Sequence, residues 1–149
     1  MDAYIQIMMG LLGTVGFSLL FHVRGKKIIA IAVGGALSWA IYLAVLALTD
    51  DKAIGLLIST ASMGILAEIF ARVFKAPAII FLVPMLIPLI PGGDLYYTTS
   101  FLLRGDYPAF TAQLKLLLIQ AGAIAFGIIL VACLIHIPRR GLKKAKEKE

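Results

Sequence analysis

Five apolar runs, each long enough to cross a membrane, limit this chain more than any other feature. Cut at their charges, they cover about residues 3–21, 28–48, 53–74, 77–103 and 110–137, and a basic tail, 139–149, follows. A helix rises 1.5 Å per residue, so about 20 residues cross a ~30 Å hydrocarbon core. The expected fold is therefore an all-α integral membrane protein of about five transmembrane helices. Composition agrees, with 15% charged residues against about 25% in a soluble domain. The first run is preceded by Asp2 and followed by its basic residues. That is the reverse of a signal peptide, so the run is expected to remain as a span.

Basic residues orient the spans. Arg24, Lys26, Lys27, Arg72, Lys75 and the tail's Arg139, Arg140, Lys143, Lys144, Lys146 and Lys148 fall on one side, eleven of the fourteen in the chain. Lys52 and Arg104 fall on the other, with Asp2, Asp50, Asp51 and Asp106. The positive-inside rule puts the N-terminus outside and the C-terminus in the cytoplasm, here of a bacterial inner membrane. Lys115, early in the fifth span, can snorkel outward. This parity makes residues 77–103 one crossing rather than a re-entrant loop.

That fourth crossing is interrupted. It carries Pro84, Pro88 and Pro91, then Gly92, Gly93 and Asp94. Proline has no N–H and clashes with the carbonyl four residues back, which frees the carbonyls of Ile80, Pro84 and Ile87. With Pro77, the spacings of seven, four and three put all four prolines on one helix face. Gly92-Gly93 is expected to end a first half-helix, and Asp94 to N-cap a second, with the break near the middle of the bilayer. Broken helices at that depth recur as transporter sites. Freed carbonyls favour cations and a helix N-terminus favours anions. The pair suits a zwitterion, its ammonium toward the carbonyls or Asp94 and its carboxylate toward the N–H groups near Leu95–Tyr97. The candidate substrate-binding residues are Pro84, Pro88, Pro91, Gly92, Gly93, Asp94, Tyr96, Tyr97 and Thr98. Tyr96, Tyr97, Thr98 and Thr99 serve equally well as bonds to a ligand or to other helices.

Glu68 is a second intramembrane acid, with Arg72 four residues on. An i, i+4 ion pair is one expectation; an ion or proton relay through Glu68, Arg72 and Asp94 is the other. Gln113 and Gln120 share a face of the fifth span, where they glue helices together or line a pathway. Glycines at 10, 13 and 16, Gly34 with Ser38, and Gly55 with Ser59 permit close helix packing. Cys133 has no partner for an intrachain disulfide and is expected to pack. His22 and His136 lack neighbours at metal-ligand spacing. No Walker loop, nucleophile elbow or HExxH is present, so no enzyme, metal or cofactor is expected. Nor is a nucleic-acid partner, because basic and aromatic residues do not interleave. The tail reads as a solvated stop-transfer segment, or one touching anionic lipid headgroups.

Residues 67–98, AEIFARVFKAPAIIFLVPMLIPLIPGGDLYYT, resemble the signature of the threonine/serine exporter (ThrE-like) family, in particular the short, YjjB-like subunit of its two-component form. Glu68 and Arg72 match the acid-to-arginine stretch. Pro77, Pro84, Pro88, Pro91, Gly92 and Gly93 match the spaced-proline helix, and Tyr96 and Tyr97 the tyrosine pair. GTVGFSLLFHVRGKK, residues 13–27, is similar to the family's opening span. The resemblance implies secondary-active export of threonine, serine or small carboxylates, with proton coupling. It also implies a second membrane subunit and a hetero-oligomer. The competing expectations are a non-transporting scaffold that stabilises a partner, and an ion-conducting channel.

Overall fold

The computed structural model describes residues 2–146, with side chains described through Ile135. It is helical throughout: α1 (Ala3–Leu20), α2 (Lys26–Thr49), α3 (Lys52–Val73), α4 (Ile79–Leu86), a 3-10 turn (Ile87–Leu89), α5 (Gly92–Leu103) and α6 (Tyr107–Lys146). Four helices are long and apolar enough to cross a membrane. The pair 79–89 and 92–103, bent by 56°, makes a fifth crossing if it is one span. The expected all-α fold with an interrupted fourth element is what forms. Of the basic tail, the helix continues to Lys146, and residues 147–149 and the tail side chains lie outside the described residues, as does the His136 side chain.

Local chemistry sets the boundaries. Asp51 N-caps α3, its Oδ1 accepting from the N–H groups of Ala53 (2.7 Å) and Ile54 (3.3 Å), as a short polar side chain does at a helix start. In RGDYP, Gly105 takes a φ of +73° that a side chain would strain. Asp106 Oδ1 then accepts from Ala109 N–H at 3.2 Å. Pro108, in the first turn of α6, forfeits an N–H that would have had no helical partner.

α1, α2 and α3 form an antiparallel layer held by small residues. Gly10 faces Trp39, Gly35 faces Thr14, and Gly55 faces Tyr42. Buried hydroxyls satisfy themselves on their own helix: Thr14 donates to the Gly10 carbonyl, Ser18 to Thr14 and Ser38 to Gly34, each at 2.7 Å. Ser59 donates across to the Ser38 carbonyl. Such back-bonding keeps polar groups paired where helices approach closely. Gly13 and Gly16 differ, for a Cβ there would meet open space.

The interrupted span covers this layer on one side. Phe81, Met85 and Leu89, four residues apart, lie in the core with Ile31, Leu56, Met63 and Ala67. Phe70 and Phe74 tilt against Phe81, with ring centroids 5.9 and 5.7 Å away. On the other side α6 runs parallel to α3, and its register is read from two close approaches, Gly127 against Thr60 and Val131 against Gly64. The offset is the same in both pairs. On that register Lys52 stands level with Ile119, so residues 107–118 of α6 run beyond the end of α3. α5 folds back on α6, its extensive packing being with that helix. The two form a hairpin projecting from the Lys52 end of the layer.

Candidate functional site

The break is made differently from what the prolines and glycines imply alone. The chain tightens into a 3-10 turn at Ile87, where Ile90 N–H donates to the Ile87 carbonyl at 3.2 Å. The Ile87 carbonyl is therefore not free. Ile90 is extended (φ −65°, ψ 127°), as the residue before a proline prefers, and Pro91 is the N-cap residue of α5. Gly92 and Gly93 lie inside α5, not at the end of α4, and Asp94 sits in its first turn rather than at the cap. Leu95 N–H already bonds the Pro91 carbonyl at 3.0 Å. The donors a helix start leaves open thus fall at Gly93 and Asp94, ahead of the expected Leu95–Tyr97.

Freed from capping, the Asp94 carboxylate meets three side chains from two other helices. Gln113 Nε2 donates to Oδ1 at 3.0 Å and Gln120 Nε2 to Oδ2 at 2.9 Å, both from α6. Lys52 Nζ, from the first residue of α3, lies 3.3 Å from Oδ2 and 3.5 Å from Oδ1. This is the one ion pair among the described residues. The Asp94 side chain is 18% exposed and that of Lys52 55%. The carboxylate therefore lies level with the start of α3, not halfway along that helix.

A cavity of about 70 Å³ opens beside this cluster, lined by Trp39, Tyr42, Lys52, Pro91, Asp94 and Gln120 among others. Trp39 and Tyr42 tilt against each other with centroids 5.0 Å apart. The Trp39 indole N–H is buried without an acceptor among the described residues. A buried donor in that state costs free energy until something accepts from it. Trp39 also borders a second cavity, of about 300 Å³, between α1 and the 3-10 turn, where Gly10, Ile87 and Pro88 are found. The chemistry at hand is one carboxylate, one half-exposed ammonium, two amides and two aromatic rings.

The expected site residues do not all meet. Pro91 and Asp94 share the small cavity. Pro88 borders the second one, and Pro84, itself buried, touches a third with Phe21, Val23 and Ile80. Gly92 and Gly93 face open space. Tyr96 and Tyr97 are 67% and 56% exposed and pack edge to face on each other. Thr98 is buried but spends its hydroxyl on the Asp94 carbonyl at 2.7 Å; Thr99 bonds Leu95 in the same way. Glu68 and Arg72 lie toward the opposite end of α3, about 24 and 30 Å from Lys52 at 1.5 Å per residue. No ion pair joins them among the described residues. Cys133 is exposed rather than packed.

Lys52, Trp39 and Tyr42 were not singled out by sequence. A signal existed for two of them: the chain's single tryptophan lies within an apolar span, and Lys52 is a rare base on the acidic side. Gln113 and Gln120 do join helices, each donating to Asp94 of α5.

The model of a protein family described as Threonine/Serine exporter, ThrE, matches residues 6–134. That stretch contains the whole Asp94 cluster and both cavities beside Trp39. No curated protein and no solved structure matches the chain.

Proposed function

The chain belongs to the threonine/serine exporter (ThrE) family, and from that premise we propose that it is the membrane subunit carrying the substrate site of a secondary-active exporter of small amino acids or small carboxylates. The observation that carries this reading is Asp94, a carboxylate at a helix break held by Gln113, Gln120 and Lys52 beside a cavity walled by two aromatic rings. A substrate ammonium fits such a carboxylate, and charged groups in membrane spans are functional by default. Export is driven by a proton gradient, with Asp94 as proton carrier or Glu68 and Arg72 as a relay at the far end of α3. The chain works with a second membrane subunit in the inner membrane of a bacterium, its C-terminus in the cytoplasm.

The test is efflux of labelled threonine and serine from cells expressing the full-length chain with its neighbouring membrane subunit. Asp94→Asn is expected to cut efflux at least tenfold at unchanged membrane abundance. Wild-type efflux in that variant would remove the site.

One observation favours a second reading. The α5–α6 hairpin projects past the layer with Leu95, Tyr96, Leu102, Leu103, Leu116 and Leu118 exposed. A scaffold that docks a partner would present such a surface. In that case altering these side chains stops co-purification of the partner, and Asp94→Asn is silent.

A further inference from the structure

We propose that Lys52 is a resident stand-in for the substrate's ammonium group, and that the arriving substrate displaces it from Asp94 and takes its freed ammonium onto the substrate carboxylate. This rests on the reading of Asp94 as the substrate site. It adds a second binding residue and a recognition rule, namely that the ligand must carry both charges.

The geometry supports a displaceable partner. The two glutamine bonds to Asp94, at 2.9 and 3.0 Å, are of ordinary length and come from one helix face, seven residues apart. They hold the carboxylate in place and leave its negative charge uncancelled. Lys52 alone supplies the opposite charge, at a looser 3.3 Å and with more than half its side chain exposed. Holding such a pair immobilises a long side chain, which offsets part of its stability. An incoming ammonium thus exchanges for a weak partner, not a strong one. Lysine's flexible four-carbon stem lets the displaced ammonium swing without leaving the site. Lys52 lies at the start of α3, one residue after the Asp51 cap that fixes its backbone.

The cavity beside Asp94, about 70 Å³, is smaller than a whole amino acid, but its walls are what the rest of a small zwitterion would touch. Trp39 and Tyr42 give it aromatic walls, and Leu56 and Leu89 give it apolar ones. Aromatic rings are good neighbours for a cation, which puts the ammonium on the Asp94 side, and Lys52, the more exposed of the pair, is left for the carboxylate. A cation without a carboxylate would meet Asp94 but leave Lys52 with no partner. A carboxylate without an ammonium would meet Lys52 while Asp94 still competed for it.

Equilibrium binding of two labelled probes, L-threonine and L-threoninamide, separates these cases. The full-length protein is used in nanodiscs with the subunit that co-purifies with it. Wild type is expected to bind threonine at least tenfold more tightly than the amide. Lys52→Met should weaken threonine at least tenfold and strengthen the amide severalfold, reversing the preference. Lys52→Cys in a Cys133→Ser background should behave like Lys52→Met, and aminoethylation of the new thiol should restore the wild-type order. That rescue distinguishes lost recognition from lost folding. If Lys52→Met shifts both probes by one factor, or the aminoethyl group restores nothing, Lys52 does not bind substrate and the Asp94 site stands. If Asp94→Asn binds both probes like wild type, or wild type binds neither, the Asp94 site itself falls and the proposal with it.

Discussion

Gln120 Nε2 donates to Asp94 Oδ2 at 2.9 Å and ties the first turn of α5 to the middle of α6. Gln113 does the same for Oδ1, so each carboxylate oxygen has its own amide. Hydrogen bonds to a charged group contribute about 1.5–3 kcal/mol each. Gln113→Leu and Gln120→Leu are expected to destabilise the chain by amounts in that range. Combined with Asp94→Asn, their effects should fall short of additive by about 1 kcal/mol or more. Thermal unfolding in detergent of the singles and doubles measures the coupling, and strict additivity would show the bonds to be energetically idle.

Close packing of α3 on α6 depends on Gly127. A Cβ there would come 2.2 Å from Thr60 Oγ1 and 2.8 Å from the Leu57 carbonyl oxygen. Overpacking of a tight contact costs about 1–3 kcal/mol, so Gly127→Ala should lower the unfolding midpoint by several degrees. Gly13→Ala, facing open space, should leave the midpoint unchanged or raise it. Equal losses at both positions would mean that α3 and α6 meet elsewhere.

The turn that makes the hairpin is sensitive at one residue. Gly105 has φ +73°, a conformation that costs an ordinary residue about 1–2 kcal/mol. Gly105→Ala is expected to destabilise by that amount, and Gly105→Asn, which tolerates the left-handed region better, by less. Limited proteolysis near residues 104–106 reads the order of the three proteins.

Tyr96 and Tyr97 are largely exposed and pack on each other, and among the described residues neither hydroxyl makes a hydrogen bond. Tyr97→Phe is therefore expected to change efflux less than twofold where Asp94→Asn abolishes it. A large loss would relocate the substrate path to the outward face of α5.

Much of the architecture could be read from residue order alone. Apolar length sets the helices, Asp51 marks the start of α3, and Gly105, Asp106 and Pro108 mark the hairpin turn. The exact break was less legible. Proline spacing locates it to within a turn, but the chain answers by tightening to a 3-10 turn and extending Ile90. The glycines are left free to begin α5, where their lack of a side chain is harmless. The Asp94 cluster was the least legible part. Its partners lie 42, 19 and 26 positions away, and only the packing of α5 and α3 on α6 brings them together. A shared face for Gln113 and Gln120 was visible, but what that face looked at was not.

The register of α6 on α3 has a consequence for the lipid around them. The stretch Tyr107–Ile135 of α6, 29 residues, is about 43 Å long, and α3, 22 residues, is about 33 Å long, at 1.5 Å per residue. A bilayer with a ~30 Å core matches one and not the other, and mismatch of this kind is relieved by tilt or by local thickening. The Asp94 cluster sits where the two lengths part. Acyl-chain length is thereby expected to become a variable of the site, with thick and thin bilayers loading the α5–α6 hairpin differently.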